Sequence, residues 1–178
     1  MGKMSVRQLT ITGLMAALVL VGTMLIQVPT PTKGYIHIGD SMVYISGILL
    51  GPVAGGLAAA IGSMFADVFS SYYIYAPATF VIKGLDALIV GYIYGKLVTG
   101  NVTTTKKIVS FSVSVLAGAS IMVLGYLVYE SFLYGFAVAA VGAVGNITQG
   151  IGGGILAAPL MIALDKVNLF EKIFKNYR

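Results

Sequence analysis

The sequence predicts an all-α integral membrane protein, built as one compact bundle of six transmembrane helices in a single domain spanning residues 1–178. The first observation is composition: 58% of the residues are hydrophobic and only 10% are charged, whereas soluble domains carry roughly 25% charged residues. Such a chain has too few polar side chains to cover a water-exposed surface, but in a bilayer that surface meets lipid tails. The second observation is that the apolar residues fall into six segments, which leave no length for a soluble domain.

Residues that interrupt or begin a helix separate these segments. Pro29 and Pro31 end the first segment, Gly51-Pro52 divides the second from the third, and Pro77 stands in the first turn of the fourth. A helix needs about 20 apolar residues to cross the bilayer, so the second segment is too short to cross alone and is expected to be tilted or joined to the loop before it. The segments span residues 8–28, 41–50, 53–71, 77–97, 108–129 and 141–164.

Positive charges concentrate on one predicted side of the membrane. Basic residues precede the first segment, separate the fourth from the fifth and follow the sixth, and of the 11 lysines and arginines only Lys33 and Lys83 lie elsewhere. With six crossings, all these basic positions fall on the same side, which the positive-inside rule assigns to the cytoplasm. The sequence therefore predicts a multi-pass protein with both termini in the cytoplasm. This placement explains the net charge of +5 without a nucleic-acid partner.

Small residues recur at helical spacing on three segments. Such stripes allow helices to approach closely, and on the third and fourth segments they predict internal packing. On the first segment, Gly13 and Ala17 leave internal packing and an external protein partner equally open. The longer stripes are Gly55, Ala59, Gly62 and Ala66 on the third segment, and Gly84, Ala87, Gly91 and Gly95 on the fourth.

Five ionisable residues lie within or beside the apolar segments: Asp40, Asp67, Lys83, Asp86 and Glu130. Ionisable groups inside a membrane are costly and usually functional. Lys83 and Asp86 are three residues apart, so they share a helical face and are expected either to pair or to contact a ligand. Asp40 is expected to cap the second helix. Glu130 is either solvated at the interface or part of a site.

Carboxamides and aromatic rings supply the remaining candidates for a site. Asn146 and Gln149 share one face of the sixth segment, where they suit either the edge of a neutral heteroaromatic ligand or hydrogen bonds between helices. Tyr35, Tyr72 and Tyr75 belong to outer connections. They form either an interfacial aromatic belt or, together with His37, an aromatic mouth for a flat ligand.

Enzymatic chemistry is not predicted. With no cysteine and a single histidine, we expect no metal site, no thiolate chemistry and no cofactor. No P-loop is present, so the chain is not expected to hydrolyse ATP. His37, Asp40 and Ser41 are close in sequence, but they do not form a nucleophile elbow, so intramembrane hydrolysis is disfavoured. The main alternative to a binding subunit is an autonomous proton-coupled carrier that uses Asp67, Lys83 and Asp86.

The order and spacing of these residues resemble a known family. The stretch KGYIHIGD at 33–40 is followed by LGPVAGG at 50–56 and by Ala66-Asp67, then by Lys83-Gly84 after Pro77, and by Asn146 and Gln149-Gly150. This pattern covers nearly the whole chain. It is similar to the substrate-binding S component of energy-coupling factor (ECF) vitamin transporters, and closest to the subgroup for riboflavin, hydroxymethylpyrimidine or pyridoxine.

The resemblance implies a six-helix subunit of a prokaryotic cell membrane that captures a water-soluble vitamin at the outer face. The vitamin would lie between the later helices and the loop joining helices one and two. A transmembrane coupling protein (the T component) and two cytoplasmic ATPases would be its partners, and the subunit would topple in the bilayer to deliver the ligand inward. Docking to the coupling protein would use Gly13, Ala16 and Ala17. The expected ligand contacts are Lys83, Asp86, Asn146, Gln149, Glu130, Tyr35, His37, Tyr72, Tyr75 and Asp67.

The sequence leaves the identity of the ligand open. The chain has no tryptophan for stacking, so tyrosine and phenylalanine must serve, and few fixed charges favour a neutral molecule. A two-ring flavin needs a larger pocket than a single pyrimidine or pyridine ring. We therefore favour hydroxymethylpyrimidine or pyridoxine, with riboflavin next.

Overall fold

Five long helices and one short β-hairpin form the fold in this computed structural model, which describes residues 5–30, 34–100 and 102–167. Each of the five helices is long and apolar enough to cross a membrane. The elements are α1 (Val6–Leu25), β1 (Gln27–Pro29), β2 (Tyr35–His37), α2 (Asp40–Phe69), α3 (Ala76–Leu97), α4 (Thr104–Tyr134) and α5 (Phe136–Lys166).

The first helix is set by local signals at both ends. Ser5 accepts a hydrogen bond from the backbone of Gln8, and the Gln8 side chain accepts one from the backbone of Ser5, which together form a capping box. The helix ends at Ile26, where the backbone becomes extended. The two strands that follow pair antiparallel, with Val28 opposite Ile36, and this hairpin leads the chain into α2.

α2 doubles back on itself at Gly51. The backbone of Gly51 has φ 76° and ψ −179°, a region that essentially only glycine adopts, and Pro52 follows in a first-turn position where no N–H donor is needed. Across this break the Ser46 hydroxyl donates to the carbonyl of Gly55 at 3.1 Å. In a straight helix, residues nine positions apart would be separated by about 13 Å. Residues 40–50 and 52–69 are therefore two helical halves that pack side by side.

The prediction of six separate helices is not confirmed in that form. The structure has five helices of membrane-spanning length among the described residues, because the predicted second and third segments are the two halves of α2. The first half, at about 1.5 Å per residue, is about 16 Å long and covers only about half of a 30 Å hydrocarbon core. The glycine and proline at 51–52 were expected to separate two helices, but the chain resumes its helical path immediately after the turn.

Glycines set the close contacts between helices. A Cβ added to Gly91 of α3 would collide with the backbone of Gly47 in α2, and one added to Gly62 would collide with Ala16 and Val19 of α1. The predicted internal packing is therefore confirmed at Gly62 and Gly91. It is wrong at Gly95, which has no atom within 4 Å of an added Cβ.

The small residues of α1 divide between two faces. Gly13 and Ala17 are exposed, as a docking surface for a partner would require. Ala16 is buried, and its carbonyl lies against Gly62. Ala16 therefore serves the internal contact between α1 and α2, and the expectation that it belongs to an outward docking surface is wrong. Of the described helices that could span a membrane, α1 is the least buried and α2 the most buried.

Candidate functional site

A polar cavity lies at the end of the bundle where the β-hairpin sits. The hairpin forms one wall, and the other walls come from the last turns of α2, the first turns of α3, the last turns of α4 and the first half of α5. Its empty space is about 550 Å³ with the open mouth included. The hairpin can close this end because α2 turns at Gly51, so that Asp67 near the end of α2 lies beside Tyr35, which precedes its start.

Eight of the ten predicted ligand contacts line this cavity, and they come from the hairpin, α2, the connection after α2, α4 and α5. They are Tyr35, His37, Asp67, Tyr72, Tyr75, Glu130, Asn146 and Gln149. Lys83 and Asp86 do not line it, and both are fully buried. The structure thus places these two predicted ligand contacts in the interior of the bundle, outside the lining of the cavity.

The cavity also contains residues that were not singled out from the sequence as ligand contacts. Ser63, Thr79 and Tyr126 line it, and each lies four positions before a predicted residue: Asp67, Lys83 and Glu130, respectively. Residues four apart on a helix are neighbours on one face, so this spacing was the available signal. Thr23, in the last turn of α1, and Thr30, directly after β1, also line the cavity and carry no comparable signal.

A chain of buried polar contacts runs behind the cavity. The Lys83 Nζ lies 2.5 Å from Asp40 Oδ1, and Asp40 Oδ2 accepts a hydrogen bond from Gln149 Nε2 at 3.0 Å. Gln149 Oε1 in turn accepts from the backbone N–H of His37 at 3.0 Å. These contacts tie α3, α2, α5 and the hairpin together, so the position of His37 depends on an ion pair whose two residues do not line the cavity.

Two expectations about charged residues are corrected by this network. Lys83 pairs with Asp40 and not with Asp86, although Asp86 is its neighbour on the same helix face. Asp40 is not a helix cap: Gly39 is the N-cap residue of α2 and no side chain caps that end. The physical reason is the packing of α2 against α3, which brings the Asp40 carboxylate to the ammonium group from 43 positions away in sequence.

A row of tyrosines runs between two carboxylates on the cavity wall. The Tyr35 hydroxyl donates to Asp67 Oδ1 at 2.6 Å, and the ring of Tyr35 lies 4.6 Å from that of Tyr72. Tyr72 meets Tyr75 edge-on at 6.5 Å, and the Tyr75 hydroxyl donates to Glu130 Oε1 at 3.3 Å. These three rings line the cavity, and their role as an aromatic mouth for a ligand stays a prediction.

The hairpin residues have well-defined protonation states. Burial, with Asp67 adding to it, raises the pKa of Tyr35 far above its ordinary value, so this phenol remains a donor. Burial lowers the pKa of His37 to about 4, so the imidazole is neutral near pH 7. Because its Nδ1 accepts from the backbone N–H of Gly39 at 3.1 Å, the ring proton is assigned to Nε2.

Unpartnered polar atoms cluster at the same place. Buried polar groups in proteins nearly always have hydrogen-bond partners, and exceptions call for an explanation. Among the described residues, the buried side-chain atoms without a partner belong to the cavity residues Thr23, Ser63, Asp67 and Glu130, and otherwise only to Asp86. Four residues with unmet hydrogen-bonding capacity around one cavity are expected where a bound solute or water supplies the partners.

A bundle of apolar helices that holds a polar, aromatic cavity at one end defines a membrane protein that binds a small solute. The chain belongs to the family of ECF-type riboflavin transporter S components, whose family model matches residues 3–166. The family inferred from the sequence motifs is thus confirmed. S components are substrate-binding transporter subunits rather than enzymes, and they work with a T component and ATPases.

Two individual proteins are similar to this chain. A protein of Pyrococcus woesei described as an "uncharacterized protein in gap 3'region" is 35% identical over 155 residues, which is 83% of this chain and 95% of that protein. A solved structure described as "structure and mechanism of the S component of a bacterial ECF transporter" superposes with a TM-score of 0.67 at 20% identity, covering 90% of this chain and 96% of the other. At that identity the structural likeness supports the fold.

Proposed function

We propose that this protein is the subunit that captures a riboflavin-like vitamin from outside the cell for an ECF importer. The observation that carries the proposal is the row of tyrosines between Asp67 and Glu130. Aromatic faces suit a flat heterocycle, and the two carboxylates suit the hydroxyl and N–H donors of such a vitamin. The single-ring ligands favoured from the sequence alone become the second choice, since the family description names riboflavin.

Residue roles in the proposal differ between the cavity wall and the layer behind it. Tyr35 and Tyr72 stack on the ring, and the Asn146 carboxamide meets its polar edge. Lys83 acts indirectly, because it holds Asp40 and through it Gln149. Asp86 is not assigned a ligand contact, because it is buried away from the cavity.

The proposed membrane topology has six crossings, with the two halves of α2 counted separately and the short first half extended towards the outer surface by the β-hairpin before it. The turn at Gly51 returns the end of α2 to the end of the bundle where it began. The basic residues at the start of α1, between α3 and α4 and at the end of α5 then lie on one side, which is the cytoplasmic side by the positive-inside rule. The cavity faces outward, and both termini lie in the cytoplasm.

The proposed partners are a T component and two cytoplasmic ATPases, with the exposed face of α1 as the docking surface. Gly13 and Ala17 lie on this face, beside the exposed side chains of Leu14 and Leu18. Small residues permit close approach of a second helix. The proposed docking surface therefore contains Gly13 and Ala17 but not Ala16.

The test has a binding part and an uptake part. Purified protein should quench riboflavin fluorescence on titration, and vesicles that contain it together with the T component and ATPases should accumulate the ligand only when ATP is present. Ala17→Trp should keep ligand binding and lose uptake, whereas Leu116→Trp, an exposed position on α4, should keep both. Uptake by the lone chain under a pH gradient would instead support an autonomous proton-coupled carrier.

A further inference from the structure

The cavity has an unbalanced charge. Asp67 and Glu130 line it, and no lysine or arginine does so among the described residues. Lys83 is buried behind the wall and is already paired with Asp40. Lys33 belongs to residues 31–33, outside the described part of the chain.

In each of the two wall carboxylates, one oxygen accepts a hydrogen bond and the other has no hydrogen-bond partner. Asp67 accepts a hydrogen bond from Tyr35 through Oδ1, and its Oδ2 has no partner. Glu130 accepts from Tyr75 through Oε1, and its Oε2 has no partner. Both residues are only 4% exposed, and both line the cavity.

The two unoccupied acceptors lie at opposite ends of the tyrosine row, since Tyr35 and Tyr75 are joined through Tyr72. A ligand lying along this row can offer a donor to each end. The hydroxyls of Thr23 and Ser63, which are also unpartnered, can serve as donors or acceptors to the same ligand.

We infer that Asp67 and Glu130 determine specificity by selecting ligands with hydrogen-bond donors at both ends and by rejecting phosphorylated forms of the same vitamin. This inference rests on the proposed function and deepens it. A hydroxyl or N–H group satisfies a buried carboxylate oxygen, whereas a phosphate group brings further negative charge against it in a partly desolvated site. Like charges opposed across a binding site weaken association strongly.

The experiment compares matched ligand pairs on the full chain purified in detergent, using calorimetry and flavin fluorescence. The pairs are riboflavin with riboflavin 5′-phosphate, and pyridoxine with pyridoxine 5′-phosphate. Each phosphorylated form should bind at least about 100-fold more weakly than its parent. Lumiflavin, which keeps the ring system but lacks the hydroxylated side chain, should bind at least about 10-fold more weakly than riboflavin.

The variants Asp67→Asn and Glu130→Gln remove charge while keeping size and the ability to accept from the tyrosine. Each should reduce the discrimination against phosphate by about 10-fold or more. Asp165→Asn is the matched control, because this carboxylate pairs with Lys107 away from the cavity, and it should leave discrimination unchanged. Lys33→Gln should also leave the preference for the unphosphorylated form in place, and thermal melting checks that each variant folds.

The outcomes separate the two proposals. Equal or tighter binding of the phosphorylated ligand overturns the inference while leaving a vitamin-binding function in place. Unchanged discrimination in both Asp67→Asn and Glu130→Gln removes these residues as determinants. Failure of both parent vitamins and both phosphates to bind the folded wild-type chain overturns the proposed function and the inference together.

Discussion

Lys83 forms an ion pair with only one of the two buried carboxylates near it. Asp40 and Asp86 are both fully buried near it, yet only Asp40 makes an ion pair, and both Asp86 oxygens lack a partner. An ion pair inside a membrane protein is costly to break because one charge is then left uncompensated. The two aspartates therefore have different energetic roles despite equal burial.

Substitution of each aspartate by its amide tests this difference. Asp40→Asn should lower the free energy of unfolding by about 3–5 kcal/mol, since it leaves the Lys83 ammonium buried without a counter-charge. Asp86→Asn removes no hydrogen bond and should change stability by less than about 1 kcal/mol. Thermal or denaturant unfolding in detergent measures both, and an equal loss in the two variants would contradict the assigned pairing.

At the scale of elements, α2 and α3 share the most extensive helix contact in the described part of the chain, and its geometry depends on glycine. Gly47 lies against the carbonyl of Ala87, and Gly91 lies against the carbonyl of Gly47. The repeated small residues of α3 predicted such a contact from the sequence. They did not show where it ends: a Cβ added to Gly95, the last member of the stripe, meets no atom within 4 Å.

A matched pair of glycine substitutions on α3 tests the contact. Gly91→Ala forces a methyl group into the backbone of α2 and should cost about 1–3 kcal/mol of stability. Gly95→Ala meets no atom within 4 Å and should be neutral or stabilise the helix by up to about 1 kcal/mol. The midpoint of unfolding in detergent distinguishes them; a destabilising Gly95→Ala with a silent Gly91→Ala would mean that the helices pack on another face.

At the scale of the whole molecule, the turn in α2 decides the sidedness of everything that follows it. If α2 crossed the bilayer as one straight helix, the connection after it would lie on the same side as Ser5. Because its halves double back, we expect that connection on the opposite side, together with the cavity. The number of membrane crossings therefore determines on which side of the membrane the cavity opens.

Labelling of single introduced cysteines can determine the topology, because the chain has no cysteine of its own. In intact cells a membrane-impermeant thiol reagent should label Tyr73→Cys, in the connection between α2 and α3. It should label Ser5→Cys and Val102→Cys only after the membrane is opened. Labelling of Ser5→Cys and Tyr73→Cys from the same side would refute the six-crossing topology.

The sequence alone predicted the membrane class of this protein and its family. Low charge and six apolar segments determined the membrane class, and the order of short motifs determined the family. Eight of the ten ligand candidates, from four separate stretches, line one cavity, and that they contact a ligand stays a prediction. Composition and local spacing are properties that the chain carries before it folds.

Only the tertiary structure decided which of these residues touch one another. The ion pair of Lys83 with Asp40, the burial of Ala16 and the joining of two segments at Gly51 all depend on how helices cross. Residues three or four apart share a face in any helix, but a partner 43 positions away is chosen by the packing of backbones. The sequence could therefore name the polar residues of the site, while the packing of α2 against α3 separated the residues that line the cavity from those that hold it in place.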